Sequence, residues 1–267
     1  MPTSSAYIGA AIRRTVIEQS RRAGVGHIGS ALSISDLLAV LFGGVLRGAP
    51  EDPERDRFVL SKGHAALALY AALHEAGHLE APALDGYCAE GSPLGCHPEH
   101  PVRGIDFSTG SLGQGLSVAA GAALAARLQR SPRRAFALLS DAELNEGSVW
   151  EAVMFAAHRQ LANLVAIVDV NGQQALGYTR DVIDLEPLAD RFAAFGWDVR
   201  EVDGHDTEAL VATIDGLDTR SGPPHVLLAR TTFGRGVDFM ESRIEWHYWP
   251  LDEEQYASAR RQLEGAR

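Results

Sequence analysis

From residue 116 onward the chain alternates between two hydrophobic rhythms. Short continuous apolar runs at 135–139 and 164–168 follow segments, 116–130 and 149–161, in which small and apolar residues recur at helical spacing. Two more helical stretches, 185–195 and 207–217, are separated by Trp-Asp-Val-Arg-Glu-Val and followed by His-Val-Leu-Leu-Ala-Arg. Short unbroken apolar strands alternating with helices predict a parallel sheet covered on both faces, because only a strand buried on both sides is apolar at every position.

The first third reads as helices joined by glycine-rich loops. Ile8, Ile12 and Val16 recur at helical spacing, with Gly24 as the stop, and Ser33 with Asp36 predicts a capping box ahead of Leu-Leu-Ala-Val-Leu-Phe. Residues 79–115 hold many Gly, Pro and His residues, and a loop of that length inside a compact domain is usually functional. With no internal repeat and no low-complexity linker, residues 1–267 are expected to form a single α/β domain with a helical, loop-rich front end.

Composition narrows the chemistry. The 24 basic and 35 acidic residues give a net charge of −11 without a basic run, which argues against nucleic-acid binding. Two cysteines, Cys88 and Cys96, are too few for a disulfide scaffold. The start shows no basic-then-apolar signal region, and no apolar stretch is long enough to span a bilayer. A cytoplasmic protein without a membrane role is therefore expected.

Two motif matches carry little. Gly24, Gly26 and Gly29 spell G-x-G-x-x-G, but they follow a helical pattern, whereas a dinucleotide fingerprint follows a strand. Cys88, Cys96, His97 and His100 have zinc-ligand side chains, but their spacing does not suit one tetrahedral ion. The ends of the two best strands are more informative. Asp141 closes one, and Asp169 with Asn171 closes the other, with one helix between, so Asp141 and Asn171 should converge where open parallel sheets bind ligands. A carboxylate, an amide oxygen and a nearby backbone carbonyl are hard ligands of the kind magnesium takes beside phosphate. His27, His64 and His97 lie at or just beyond glycines, and with His247 they suit a site that handles hydroxyls and carbonyls.

Several motifs in order carry a family resemblance over nearly the whole chain. They are Gly26-His-Ile-Gly-Ser, Ser61-Lys-Gly-His-Ala, Gly95-Cys-His-Pro-Glu, Ser108-Thr-Gly-Ser-Leu-Gly-Gln-Gly, Asp141-Ala-Glu-Leu-Asn-Glu-Gly, Trp150-Glu-Ala, Ile167-Val-Asp-Val-Asn-Gly and Met240-Glu with Glu245-Trp-His. The sequence resembles the amino-terminal, diphosphate-binding subunit of split transketolases, which depend on thiamine diphosphate.

The resemblance implies that Asp141, Asn171 and the Gln173 carbonyl hold magnesium, or calcium or manganese in its place, against the cofactor diphosphate. It places His64, Ser111, Leu112, Gly113, Asp141, Ala142, Glu143, Asn171 and His247 along the cofactor, and His27 and His97 along the sugar channel. Glu146 is expected near a subunit interface joining two cofactor sites, and His27, His64, His97, His247 and Glu146 are the candidate catalytic residues. The implied reaction moves a two-carbon ketol unit from a ketose to an aldehyde, with the cofactor as electron sink.

In this family the aminopyrimidine is bound by a second α/β domain. No segment after Arg230 is long enough for one, so a separately encoded partner in a two-plus-two (α2β2) assembly is expected, and the isolated chain should be inactive. The sequence departs from the family at Ser140 and Ala142, where Gly-Asp-Gly is usual, and at Val170, where a polar residue is usual. A methyl at Ala142 is expected to crowd the diphosphate or to disfavour a positive φ, and the changes suggest a specialised substrate. Other thiamine-dependent acyl or ketol transfer, and a non-catalytic regulatory role, are the competing readings.

Overall fold

The computed structural model describes residues 5–265. Seven strands are present among them: β1 (Arg57–Leu60), β2 (Ala135–Ser140), β3 (Leu164–Val170), β4 (Gln173–Gln174), β5 (Gly177–Tyr178), β6 (Asp198–Asp203) and β7 (His225–Arg230). β4 and β5 form a small antiparallel ribbon, and the other five form one all-parallel sheet in the order β1-β2-β3-β7-β6. The helices in chain order are α1 (Ser5–Ala23), α2 (Ile28–Ser33), α3 (Ser35–Val40), α4 (Ala66–Glu75), α5 (Ala81–Leu84), α6 (Gly115–Leu128), α7 (Gly147–His158), α8 (Thr179–Val182), α9 (Leu188–Ala194), α10 (Thr207–Asp215) and α11 (Glu253–Gly265).

Every residue of β2 and β3 is buried, so their period-2 alternation serves two separate cores. Phe136, Leu138, Val165 and Ile167 point to the face covered by α1–α4 and α10. Ala135, Ala137, Leu139, Ala166 and Val168 point to the opposite face, covered by α6, α7 and α9. The parallel sheet with helices on both faces is therefore as the alternation of apolar runs predicts.

Two local expectations are corrected. The first third is not purely helical, because Phe58-Val-Leu forms an edge strand that pairs with β2 and delivers Ser61, Lys62 and His64 to the end of the sheet. Nor do Ser33 and Asp36 form a capping box. Ile34 precedes α3 without a side-chain cap, the Ser33 hydroxyl donates to Asp169 at 2.8 Å, and Asp36 is buried in a pair with Arg13 and with His205 at 2.8 Å. Burial of both side chains at partners distant in the sequence overrides the local capping chemistry.

Candidate functional site

β2 and β3 run side by side with Ser140 level with Asp169, so Asp141 and Asn171 emerge together at the carboxyl end of the sheet. Asp141 begins a short 3-10 turn, Ala142–Asn145, accepting from the Ala142 amide through Oδ1 at 2.8 Å and from the Gly172 amide through Oδ2 at 2.7 Å. Asn171 donates from Nδ2 to Asp169 Oδ2 at 2.8 Å and accepts from the Gln173 amide through Oδ1 at 2.9 Å. An open cleft of about 320 Å3 lies above, lined by Asp141, Val170, Asn171, Gly172, Ile183 and Thr231 among others. Gln173, at the start of β4, is 3% exposed, and neither of its side-chain polar atoms has a partner among the described residues.

Burial, reinforced by neighbouring Asp169, pushes the Asp141 carboxyl up to about 7. A buried carboxylate that is this costly to ionise, beside a second carboxylate and the Asn171 amide oxygen, is an arrangement a divalent cation would relieve. Among the described residues no three His, Cys, Asp or Glu side chains converge on one point, so any ion here would be held by one carboxylate with amide and backbone oxygens. That all-oxygen donor set fits magnesium and its hard substitutes.

The three residues that depart from the family pattern, Ser140, Ala142 and Val170, are accommodated locally. Ser140 accepts from the Glu143 amide at 3.1 Å and so caps the 3-10 turn. Ala142 lies inside that turn and is not among the positive-φ residues, so the expected conflict of its methyl with a positive φ does not arise. Val170 is 8% exposed and packs into the α6–α7 core, which explains an apolar residue there.

The four histidines form a row. Ring centroids are 4.6 Å apart for His97 and His64, 5.0 Å for His64 and His27, and 6.5 Å for His27 and His247. Each is positioned by backbone and packing. Tyr70, fully buried in α4, donates to the carbonyls of Gly95 at 3.1 Å and His97 at 2.8 Å. His27 sits in the left-handed region at φ 60° at the start of α2, and its amide donates to the His247 carbonyl at 3.1 Å. Non-glycine residues held in that conformation cluster at functional sites. His247 stacks on Phe233 at 4.5 Å.

Burial lowers His64 and His247 to about 4, with the neighbouring histidines and Lys62 adding to the effect, and burial likewise lowers His27. These three rings are therefore held neutral at physiological pH, where each can donate from one nitrogen and accept at the other.

A third group approaches from the 109–113 loop. Ser111 is exposed, Leu112 half-buried and Gly113 buried at a φ of 88°. Glu143 lies behind this loop, fully buried, accepting through Oε1 from the Ser61 hydroxyl and from the Gly113 amide at 2.8 Å. Its carboxylate thus holds the loop from inside. Glu146 is exposed at the start of α7, against Gly113.

The glycines of the G-x-G-x-x-G stretch follow α1 and serve packing. A Cβ on Gly26 would lie 2.4 Å from the Tyr248 carbonyl oxygen, and one on Gly29 would lie 2.1 Å from the Phe233 ring. Cys96 lies beside the row, its Sγ 3.4 Å from His97 Nδ1.

Two residues to which the sequence analysis gave no site role join these groups. Lys62 and Asp169 form a buried ion pair, 4% and 0% exposed, between the histidine row and the Asp141–Asn171 pair. The signal was present in the sequence, since both charges sit at the ends of apolar runs where a charge needs a partner.

Comparison with known proteins identifies the family. Residues 4–266 match the family model described as transketolase, thiamine diphosphate binding domain. The chain is 41% identical over 257 residues, covering 95% of itself and 94% of the relative, to the 6-deoxy-6-sulfo-D-fructose transketolase subunit SqwG of Clostridium sp. (strain MSTE9). It is 40% identical over 254 residues, covering 94% of itself and 90% of the relative, to an apulose-4-phosphate transketolase subunit of Phocaeicola vulgatus. The crystal structure of transketolase from Campylobacter jejuni superposes with a TM-score of 0.91 at 31% identity over 99% of this chain, which spans only 43% of that longer protein. The chain belongs to the transketolase family, as its thiamine diphosphate-binding domain.

Proposed function

We propose that this chain is the diphosphate-binding subunit of a two-component transketolase, transferring a two-carbon ketol unit from a ketose to an aldehyde. The observation that carries the reading is the convergence, at one end of the sheet, of Asp141 and Asn171 with a row of imidazoles. Asp141, Asn171 and the Gln173 carbonyl would hold magnesium, or calcium or manganese, against the diphosphate. Ser111 to Gly113, with Ala142, would flank the cofactor, and Glu143 fixes that loop through Gly113. When bound, thiamine diphosphate supplies the electron sink for carbon–carbon cleavage. His27 and His97 would bind donor hydroxyls, and His64 and His247 would receive and return protons, since neutral imidazoles can do both without a change of pH.

The pyrimidine half of the site would come from a separately encoded partner in an α2β2 assembly, with Glu146 facing the interface. The two relatives of nearly matching length are both named as transketolase subunits, which supports a partner for this chain. Their names also point to unusual ketoses, which supports a specialised donor here. The proposed site of action is the cytoplasm; no helix among the described residues is long and apolar enough to cross a membrane.

Activity of the chain with and without its partner, in thiamine diphosphate and magnesium, tests the reading. Ketol transfer should appear only in the mixture, and calorimetry on the complex should show cofactor binding that Asp141→Ala abolishes. Transfer by the chain alone would overturn the two-component assignment, and absence of cofactor binding by the complex would favour the regulatory reading. Normal turnover of common ketose phosphates would remove the specialised donor.

A further inference from the structure

Lys62 is the only lysine in a chain with 24 basic residues, the remainder being arginine. It is also one of the most deeply buried charges, 3% exposed, with Nζ on Asp169 Oδ2 and 3.4 Å from the Ser30 carbonyl. An ammonium is a compact point charge, whereas a guanidinium is a broad planar fork. A chain that uses arginine everywhere else keeps the smaller cation where the slot is closed by α2, the end of β1 and the end of β3.

The anion it meets is fully committed. Asp169 Oδ2 accepts from Lys62, from the Ser33 hydroxyl at 2.8 Å and from Asn171 Nδ2 at 2.8 Å, and Oδ1 accepts from the Thr231 hydroxyl. An ionised carboxylate can only accept hydrogen bonds, so it admits the NH2 side of the Asn171 amide and excludes the oxygen side. The amide oxygen is thereby turned away, to where it accepts from the Gln173 amide with a lone pair to spare. A neutral residue at 169 would impose no such choice.

We propose that Lys62 and Asp169 are positioning residues that lock the Asn171 amide with its oxygen toward the metal side of the site. This rests on the reading that Asp141 and Asn171 hold a divalent cation. Lys62 neutralises the buried carboxylate so that it can stand beside Asp141. Ser33 and Thr231 fix its rotation, and Asn171 is the group through which all of them reach the ion.

The test is a double-mutant cycle on manganese affinity, read by electron paramagnetic resonance of free Mn2+ in the presence of thiamine diphosphate, with the chain in complex with its partner. The variant K62M/D169N removes both charges at once and leaves the net charge unchanged, which separates orientation from long-range electrostatics. Outer-shell residues acting through a ligand should cost about tenfold in affinity, and the same double change in the N171A background should cost less than about twofold. Equal losses in both backgrounds, or no loss in either, would overturn the proposal. If K62M/D169N fails to fold, Thr231→Val serves in the same cycle, because it removes one donor to Asp169 without altering charge. A loss of about threefold that vanishes in N171A is then expected, and an unchanged affinity would overturn the proposal. Failure of the unmutated complex to bind manganese would instead count against the cation site itself.

Discussion

His64 and His247 show how position sets the chemistry of a residue type. Both have an ordinary side-chain value of 6.5, and burial among like groups and beside Lys62 takes each down to about 4. Nuclear magnetic resonance of the imidazoles should find both rings neutral at pH 6, with protonation setting in only near pH 4. Because the folded values lie below the unfolded ones, these two groups withdraw stability as pH falls below about 6.5. Asp141 acts in the opposite sense. Its carboxyl, raised from 3.8 to about 7, costs the metal-free chain stability as pH rises through that window. Asp141→Asn exchanges one acceptor of the Ala142 and Gly172 amides for a donor at every pH, but relative to the parent it should gain stability, by at most about 4 kcal/mol, as pH rises from 4 to above 7 without metal. Denaturant midpoints across pH 4–8 check this, and a difference between D141N and the parent that does not change with pH would contradict it. Residue types and strand-end positions made Asp141 and Asn171 legible in the sequence, whereas the protonation states depend on neighbours that only folding supplies.

At the scale of elements, the site is a set of turns held by packing. Gly29 opens α2 directly against Phe233, which is fully buried and stacks on His247. Gly29→Ala would drive a methyl into that ring, costing about 1–3 kcal/mol in urea unfolding and moving the His247 ring resonances. Glu143 plays the matching part for the 109–113 loop. Glu143→Ala would leave Ser61 and the Gly113 amide without their buried acceptor, a loss of about 1–3 kcal/mol, and hydrogen exchange at Gly113 should accelerate. The apolar runs of β2 and β3 were readable because they are buried on both faces. The four-residue edge strand β1 was not, since so short a run has no period to detect, and Ser33 and Asp36 resemble a cap until distant partners claim their side chains.

At the scale of the whole molecule, the helical front is fastened to the sheet by buried charge. Asp36 of α3 takes Arg13 of α1 on one side and His205, after β6, on the other. Burial opposes ionisation of Asp36, but hydrogen bonds from His205 and Arg13 outweigh it and hold the carboxyl below its usual 3.8. Its contribution is present above that pH and lost as acid takes it through the lower folded value. Asp36→Ala should cost about 3–5 kcal/mol in denaturant unfolding at pH 7, because it strands a buried arginine. The sequence by itself determined the layered α/β class, through apolar runs of strand length alternating with helical periods. It also placed the oxygen-bearing side chains of Asp141 and Asn171 at the strand ends, and the order of motifs carried the family. Only the tertiary structure decided that histidines from positions 27 to 247 stand in one row, that Glu143 works from behind its loop, and that the single lysine is paired with Asp169. Those relations join residues far apart in the chain, and the burial that makes them strong exists only once the sheet and its two helical layers have closed.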